Sequence, residues 1–284
     1  MDLINTMKRV EIKYILTKEQ TIKLQEMLKG HMEIDKYGKT SIASLYFDTS
    51  NYRLIRQSID KPIFKEKIRL RSYGLANKDS KVYLELKRKA YDIVYKRRIE
   101  TTESDVSEFF KYKKDLNEDL ISKEISYFRN YYQSLKPSCL IIYDRVAYFE
   151  PDGDLRLTID FNPRYRLDNL NLSTSMDGKS LLEDGQTILE IKVQDAIPNW
   201  LAIILSELKI YKSSFSKYGE AYKRNIGGNL YVWFNIFKWN KCLKCYFNVN
   251  YKPIFRIIYR IYSFTEIKIK KRIFYNCCNV SSNC

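Results

Sequence analysis

The chain has 284 residues, 45% hydrophobic and 30% charged, the make-up of a globular protein with a real core. Fifty Lys and Arg against 34 Asp and Glu give +16, which points to an anionic partner: nucleic acid, polyphosphate, a phosphorylated metabolite or a membrane surface. No stretch approaches the roughly 18 apolar residues of a spanning helix, and MDLINTMKRV lacks the apolar run of a secretory signal, so a cytoplasmic chain is expected.

In chain order, RVEIKYIL (9–16) reads as a strand with Arg9, Glu11 and Lys13 on one face and Val10, Ile12 and Tyr14 on the other. LTKEQTIKLQEMLKG follows as a helix. Thr17 and Gln20 make a capping box, Ile22, Leu24, Met27 and Leu28 form the buried stripe, and Gly30 supplies the stop. A strand is predicted over 41–49 and a short helix around NYRLIRQSI. Three strands then follow closely, FKEKIRLRSYG, KVYLELKRKAY and DIVYKRRIET, with turns at Asn77-Lys78-Asp79 and Tyr91-Asp92. Residues 104–135 have a helical pattern. Strands resume with CLIIYDRVAYFE, DLRLTIDFN and TILEIKV, and helices are predicted over 198–208, opened by Pro198, and at SFSKYGEAYKRN.

Gly227-Gly228 marks a change in composition, so two regions are expected, 1–228 and 229–284. The second holds ten Lys and Arg against one acid, Glu266, with five of the six cysteines and two of the three tryptophans. Cys242-Leu-Lys-Cys245 is a zinc half-site by spacing, but Cys277-Cys278 does not complete it. Two readings of this tail stand: a non-native extension of AT-rich coding character, or a basic aromatic segment lying on a membrane surface, with IFRIIYRIYSF as the candidate.

The alternation of strand 9–16 recurs. Lys67, Arg69 and Arg71 share a face, as do Glu85, Lys87 and Lys89; Lys96, Arg98 and Glu100; Arg156, Thr158 and Asp160; and Glu190 with Lys192. Arg145 sits with Tyr143 and Ala147. The helices need an apolar sheet face to cover, and only the aliphatic faces qualify. Two architectures satisfy this pattern: a sheet curled into a barrel with its charged side inwards, or an open sheet with one wet face. Converging Arg and Lys suit a phosphate chain, with Glu11, Glu85, Asp160 and Glu190 either pairing with cations or holding a divalent metal. No stacking platform interleaves the cations, so specific nucleic-acid binding is not expected. Tyr46, Tyr83, Tyr143 and Tyr148 read as wall packing, and His31, without a triad partner, as a surface residue.

The ordered run R-x-E-x-K-Y, SLYFDT, KIRLRSYG, YLELKRK, YKRR, YDRVAYF, LRLTIDFN, ILEIKV and FSKY, over about residues 8–224, resembles the VTC-type polyphosphate polymerase domain of the CYTH-like triphosphate tunnel metalloenzymes. The resemblance implies an α+β fold: an eight-stranded antiparallel β tunnel barrel with a charged interior and helices packed outside. It implies phosphate-binding and catalytic roles for Lys13, Arg69, Arg71, Lys87, Lys96, Arg145, Arg156 and Lys217. It also implies Mn²⁺ or Mg²⁺ at Glu190, with Glu11 a second candidate ligand that could instead be a salt-bridge partner. ATP would be the substrate and polyphosphate the growing partner. Arg9 stands where the wider superfamily has a first glutamate, a departure that leans away from two-metal hydrolysis. Triphosphate hydrolysis and non-catalytic polyanion binding are the alternatives; a membrane-associated partner is the further expectation from the tail.

Overall fold

The computed structural model describes residues 10–225 except 61, 78 and 92; Arg9 and the cysteine-rich tail lie outside the described residues. The chain runs β1 (Val10–Leu16), α1 (Lys18–Met27), β2 (Glu33–Asp48), α2 (Arg53–Ile59), β3 (Phe64–Tyr73), β4 (Val82–Ala90), β5 (Ile93–Thr101), α3 (Glu103–Tyr112), α4 (Leu120–Tyr132), β6 (Lys136–Phe149), β7 (Arg156–Arg166), β8 (Lys179–Ser180), β9 (Thr187–Val193), α5 (Asn199–Glu207), β10 (Lys212–Ser213) and α6 (Lys217–Asn225). All ten strands join one antiparallel sheet in the order β10-β1-β9-β7-β6-β2-β3-β4-β5, with β8 on β7.

The sheet therefore differs from the eight-stranded barrel expected of it. Two-residue β8 and β10 bring the count among the described residues to ten, β10 occupies the free edge of β1, and no ladder among the described residues joins β10 or β1 to β5, so hydrogen bonds leave this path open. The sheet is nevertheless strongly curled. Lys87 Nζ on β4 lies 3.3 Å from Glu11 Oε2 on β1, although five strands separate β1 from β4 in sheet order. Side chains, rather than backbone, span the concave face.

The alternation decides which face is which. Aliphatic residues of β2 to β5, among them Leu45, Ile68, Leu84 and Ile99, pack beneath Val106 and Phe109 of α3 and Ile125 and Phe128 of α4. On the other half of the same convex face, Leu16, Leu157, Leu189 and Ile191 pack beneath Leu24 of α1 and Leu201 of α5. Burial of such side chains is worth roughly 1.5–3 kcal/mol each, so the helices hold the aliphatic side outwards and the charged side is left to the hollow.

The expectation that all helices lie outside fails for α2 and α6. They pack at one end of the concave face, where Ile42, Ile141 and Tyr143 interrupt the charged pattern, and Ile55, Tyr218 and Tyr222 cover them. Asp48, fully buried at the end of β2, ties this plug down. Its Oδ1 accepts from the Thr49 and Leu54 amides (2.8 and 2.9 Å), and its Oδ2 from the Ile55 amide (3.0 Å) and the Tyr218 hydroxyl (2.9 Å).

Other differences have local causes. The α1 capping box forms as expected, but Ile22 is exposed and Thr21 is buried instead, its hydroxyl 2.7 Å from that of Thr187. β2 begins at Glu33, eight residues before its alternating part, because a register irregularity containing Gly38 (φ +58°) interrupts its pairing with β6. Residues 104–135 divide into two helices: Lys113 at φ 58° ends α3, and the Asp119 side chain caps α4 by accepting from the Ser122 amide. Pro198 is the N-cap of α5. No helix among the described residues is long and apolar enough to cross a membrane.

Asp48→Ala would strand three backbone amides and leave the Tyr218 hydroxyl with the Ser138 hydroxyl alone, 2.8 Å away. It is expected to cost about 3 kcal/mol of unfolding free energy or more; urea denaturation monitored by tyrosine and tryptophan fluorescence checks this, and a wild-type midpoint would contradict it.

Candidate functional site

The concave face is organised around carboxylates shared by several cations. Register sets Arg69, Glu85 and Arg98 side by side across β3, β4 and β5. Glu85, 1% exposed, accepts from Arg69 Nε at 2.9 Å and Arg98 Nε at 2.8 Å, with Lys96 Nζ at 2.7 Å and Arg71 Nε at 3.8 Å. Burial alone would push its pKa up, but Arg69, Arg71 and Lys96 overcome that and hold it far below the usual carboxylate range. Lys96 is lowered in turn: burial and the neighbouring Arg98 and Arg71 outweigh its attraction to Glu85.

A second group lies on β1 and β9, where Lys13 is opposite Glu190 and Glu11 opposite Lys192, a checkerboard of charge. Lys13 Nζ sits between two carboxylates, 3.1 Å from Glu11 Oε1 and 3.4 Å from Glu190 Oε2, and Lys192 Nζ lies 2.7 Å from Glu190 Oε1. Burial disfavours the charge on Lys13, yet Glu190 and Glu11 raise its pKa above the ordinary value. Glu190 is depressed well below its ordinary range because Lys192, Lys13 and Arg145 outweigh burial. Lys87 reaches the same group from β4 through Glu11.

The third group centres on Asp160 of β7, which is fully buried. It accepts from Arg145 Nη2 at 2.8 Å and pairs with Lys217 from the first turn of α6. Two phenols report the field these cations create. Arg69 Nη1 donates to the Tyr46 hydroxyl at 3.0 Å and Arg71 Nη2 to that of Tyr143 at 3.3 Å. Burial would raise both phenols, but Arg69 and Arg71 at Tyr46, and Arg145 and Arg71 at Tyr143, hold both below the ordinary tyrosine value. A hollow that draws neutral phenols towards their anions is electrostatically prepared for a polyanion.

The structure thus brings Lys13, Arg69, Arg71, Lys87, Lys96, Arg145 and Lys217 onto one face, with Glu11 and Glu190. Arg156 shares that face by its register with Lys192 and Phe149, but it is exposed and lies over the Phe149 ring at 5.3 Å rather than in a carboxylate cluster. Glu85 and Asp160, held by four and two cations, serve as counter-charges. Arg98 and Lys192 complete the clusters, and sequence reasoning did not single them out as site residues although their alternation matched. Of the tyrosines, Tyr148 faces outwards and accepts from Gln25 (2.8 Å), while Tyr83 lies against Arg98. His31 is exposed and stacks on Trp200 with centroids 4.3 Å apart.

Among the described residues no group of three or more His, Cys, Asp or Glu is arranged to hold a metal ion. The Glu11–Glu190 pair still fits a hard divalent cation. The donors are all oxygen, and the buried Thr158 hydroxyl, opposite Glu190 in register, has no hydrogen-bond partner. Mg²⁺-like ions take one or two carboxylates and complete their shell with water and phosphate oxygens.

A family model described as the VTC domain matches residues 8–225. Solved structures with similar chains include two putative adenylyl cyclases. The one from Hippeastrum, described as having a dominant triphosphatase activity, is 18% identical; the match covers 76% of this chain and 95% of that one at a TM-score of 0.46. The one from Bacillus halodurans is 14% identical, covering 74% and 96% at 0.45. A Pyrococcus horikoshii protein is 16% identical, covering 76% and 99% at 0.42. No curated protein sequence matches significantly.

Glu85→Gln leaves four cations facing one another and is expected to cost about 3 kcal/mol of stability at pH 7. The folded pKa of Glu85 is depressed, so the wild-type advantage is full above the unfolded value of about 4.3 and fades as pH falls towards the lower folded value. Urea midpoints of the two proteins should therefore differ at pH 7 and approach each other in acid; coincident midpoints at pH 7 would refute the assignment.

Proposed function

The chain belongs to the VTC domain family, and from that premise we propose that it is a metal-dependent polyphosphate polymerase, transferring the γ-phosphoryl group of ATP to the end of a polyphosphate chain held in the cationic hollow. The observation that carries this reading is the meeting of Lys13, Lys87, Arg69, Arg145 and Lys217 over so few carboxylates, each carboxylate already shared. Such a lumen gains from a ligand with one negative charge per phosphate.

In the reaction, a terminal oxygen of the chain forms a bond to the γ-phosphorus as the bond to the β,γ-bridging oxygen breaks, and ADP carries away the electron pair. No residue is needed as a covalent nucleophile. Arg69, Arg71 and Arg145 offer planar donor forks for the equatorial oxygens, and Lys13, Lys87 and Lys217 point charges for the attacking and leaving ends, so the protein's part is alignment and neutralisation. Glu85 and Asp160 keep the guanidinium groups oriented before substrate arrives. Glu190, with Glu11, would hold a divalent ion. When bound, the ion supplies charge neutralisation between phosphates.

The test is purified protein with ATP and Mn²⁺, its products resolved on a gel stained for polyphosphate. Ladders are expected, and Lys87→Ala and Glu190→Gln should each lower their rate of formation by about 100-fold. Free phosphate without ladders would replace polymerisation by triphosphate hydrolysis; tight polyphosphate binding without turnover would leave a binding module. Because the family match ends at residue 225, truncation after Asn225 is expected to retain the activity, and loss of activity in a folded truncated protein would give the tail a role.

A further inference from the structure

Lys67 is the interior cation that the carboxylates leave out. It lies on the concave register of β3, one alternation before Arg69, opposite Lys87 across the β3–β4 ladder. Among the described residues, no carboxylate lies within ion-pair distance of its ammonium. Its one hydrogen bond runs to the Ser216 hydroxyl at 3.3 Å, just before α6. Ser216 Oγ already accepts from the Gly219 amide at 3.3 Å, so it offers Lys67 a neutral partner and no counter-charge. The charged groups that act on Lys67 most strongly are cations: Lys13 from β1, Lys65 and Arg69 from its own strand, Lys87 from β4; Glu11 stands behind two of them, paired with Lys13 and Lys87. The neighbouring cations are better served. Lys13 has Glu11 and Glu190, Lys87 has Glu11, and Arg69 has Glu85.

We infer that Lys67, with Lys13, Lys87 and the Ser216 hydroxyl, forms a seat for one phosphate group beside the plug formed by α2 and α6, and that this seat gains a proton when it is filled. The inference rests on reading the hollow as a phosphate-chain site. Lys67 has no carboxylate partner among the described residues, and a phosphate group brings the missing charge, acceptor oxygens for three ammonium groups, and an oxygen for the serine hydroxyl.

The proton follows from the surroundings. Burial and the repulsion of Lys13, Lys65, Lys87 and Arg69 lower the Lys67 pKa to about 7. Above that value the amine is largely neutral in the empty protein. A phosphate at the seat reverses the local field and favours the ammonium, so binding must take a proton from solution. Below about pH 7 the amine is already charged and this linkage vanishes; above it, affinity falls as pH rises, until the pH reaches the higher pKa of the filled seat.

Isothermal titration of tripolyphosphate at pH 8, without ATP or metal, in two buffers of different ionisation enthalpy, measures the protons taken up. The wild type is expected to take up close to one more proton than Lys67→Met. Lys67→Met should bind about tenfold more weakly and lose most of the affinity change between pH 7 and pH 9. Lys67→Arg, charged throughout, should keep most of the affinity and also lose the extra proton. Wild-type affinity and proton uptake in a folded Lys67→Met protein would overturn the seat while leaving the polyphosphate reading intact, provided Lys87→Ala still weakens binding. Failure of the wild type to bind tripolyphosphate at all would overturn both. Titration with inorganic phosphate in parallel separates a chain unit from a free ion: equal affinity and equal proton uptake for the two would overturn the assignment to a chain.

Discussion

One shared carboxylate organises the charged side of β3, β4 and β5. Glu85 is buried in the β3–β4–β5 ribbon and is approached by Arg69, Arg71, Lys96 and Arg98. Four cations on adjacent strands would repel at such distances, and burial in a concave space would amplify the repulsion. A single shared anion turns this repulsion into a clasp. Because each cation holds only part of the carboxylate, each keeps donors available for another anion.

The same arrangement recurs with Glu11, Glu190 and Asp160, so the hollow stays folded without being neutral. Stability and binding capacity therefore pull against each other. More carboxylates would quiet the repulsion but leave no demand for an anionic ligand; fewer would leave cations uncompensated. The lowered Tyr46 and Tyr143 pKa values and the neutral tendency of Lys67 are signs of a balance set on the positive side. That balance matches phosphate chemistry, where the ligand supplies the missing charge and the protein supplies orientation.

The hollow also has unlike ends. Asp48 binds the first amides of α2 and the Tyr218 hydroxyl of α6, fixing an apolar plug against Ile42, Ile141 and Tyr143. α6 thereby delivers Lys217 to Asp160, while Ser216 reaches Lys67 from just before its first turn. A chain segment far from the main strands in sequence thus completes two of the charged groups.

Much was legible in the sequence because strand alternation is a local property. The spacing of Lys67, Arg69 and Arg71, or of Glu85 and Lys87, determines that these side chains share a face whatever the strand pairs with, and the capping box at Thr17 and Gln20 closes within one helical turn. Helix patterns with apolar stripes then required the aliphatic faces, which settled the charged side by elimination. What tertiary structure alone decided is who shares which charge. Glu11 meets Lys87 only because the sheet curls across five intervening strands, and Lys67 meets Ser216 across 149 positions of sequence. Alternation assigns a side chain its face, and curvature assigns it its neighbours.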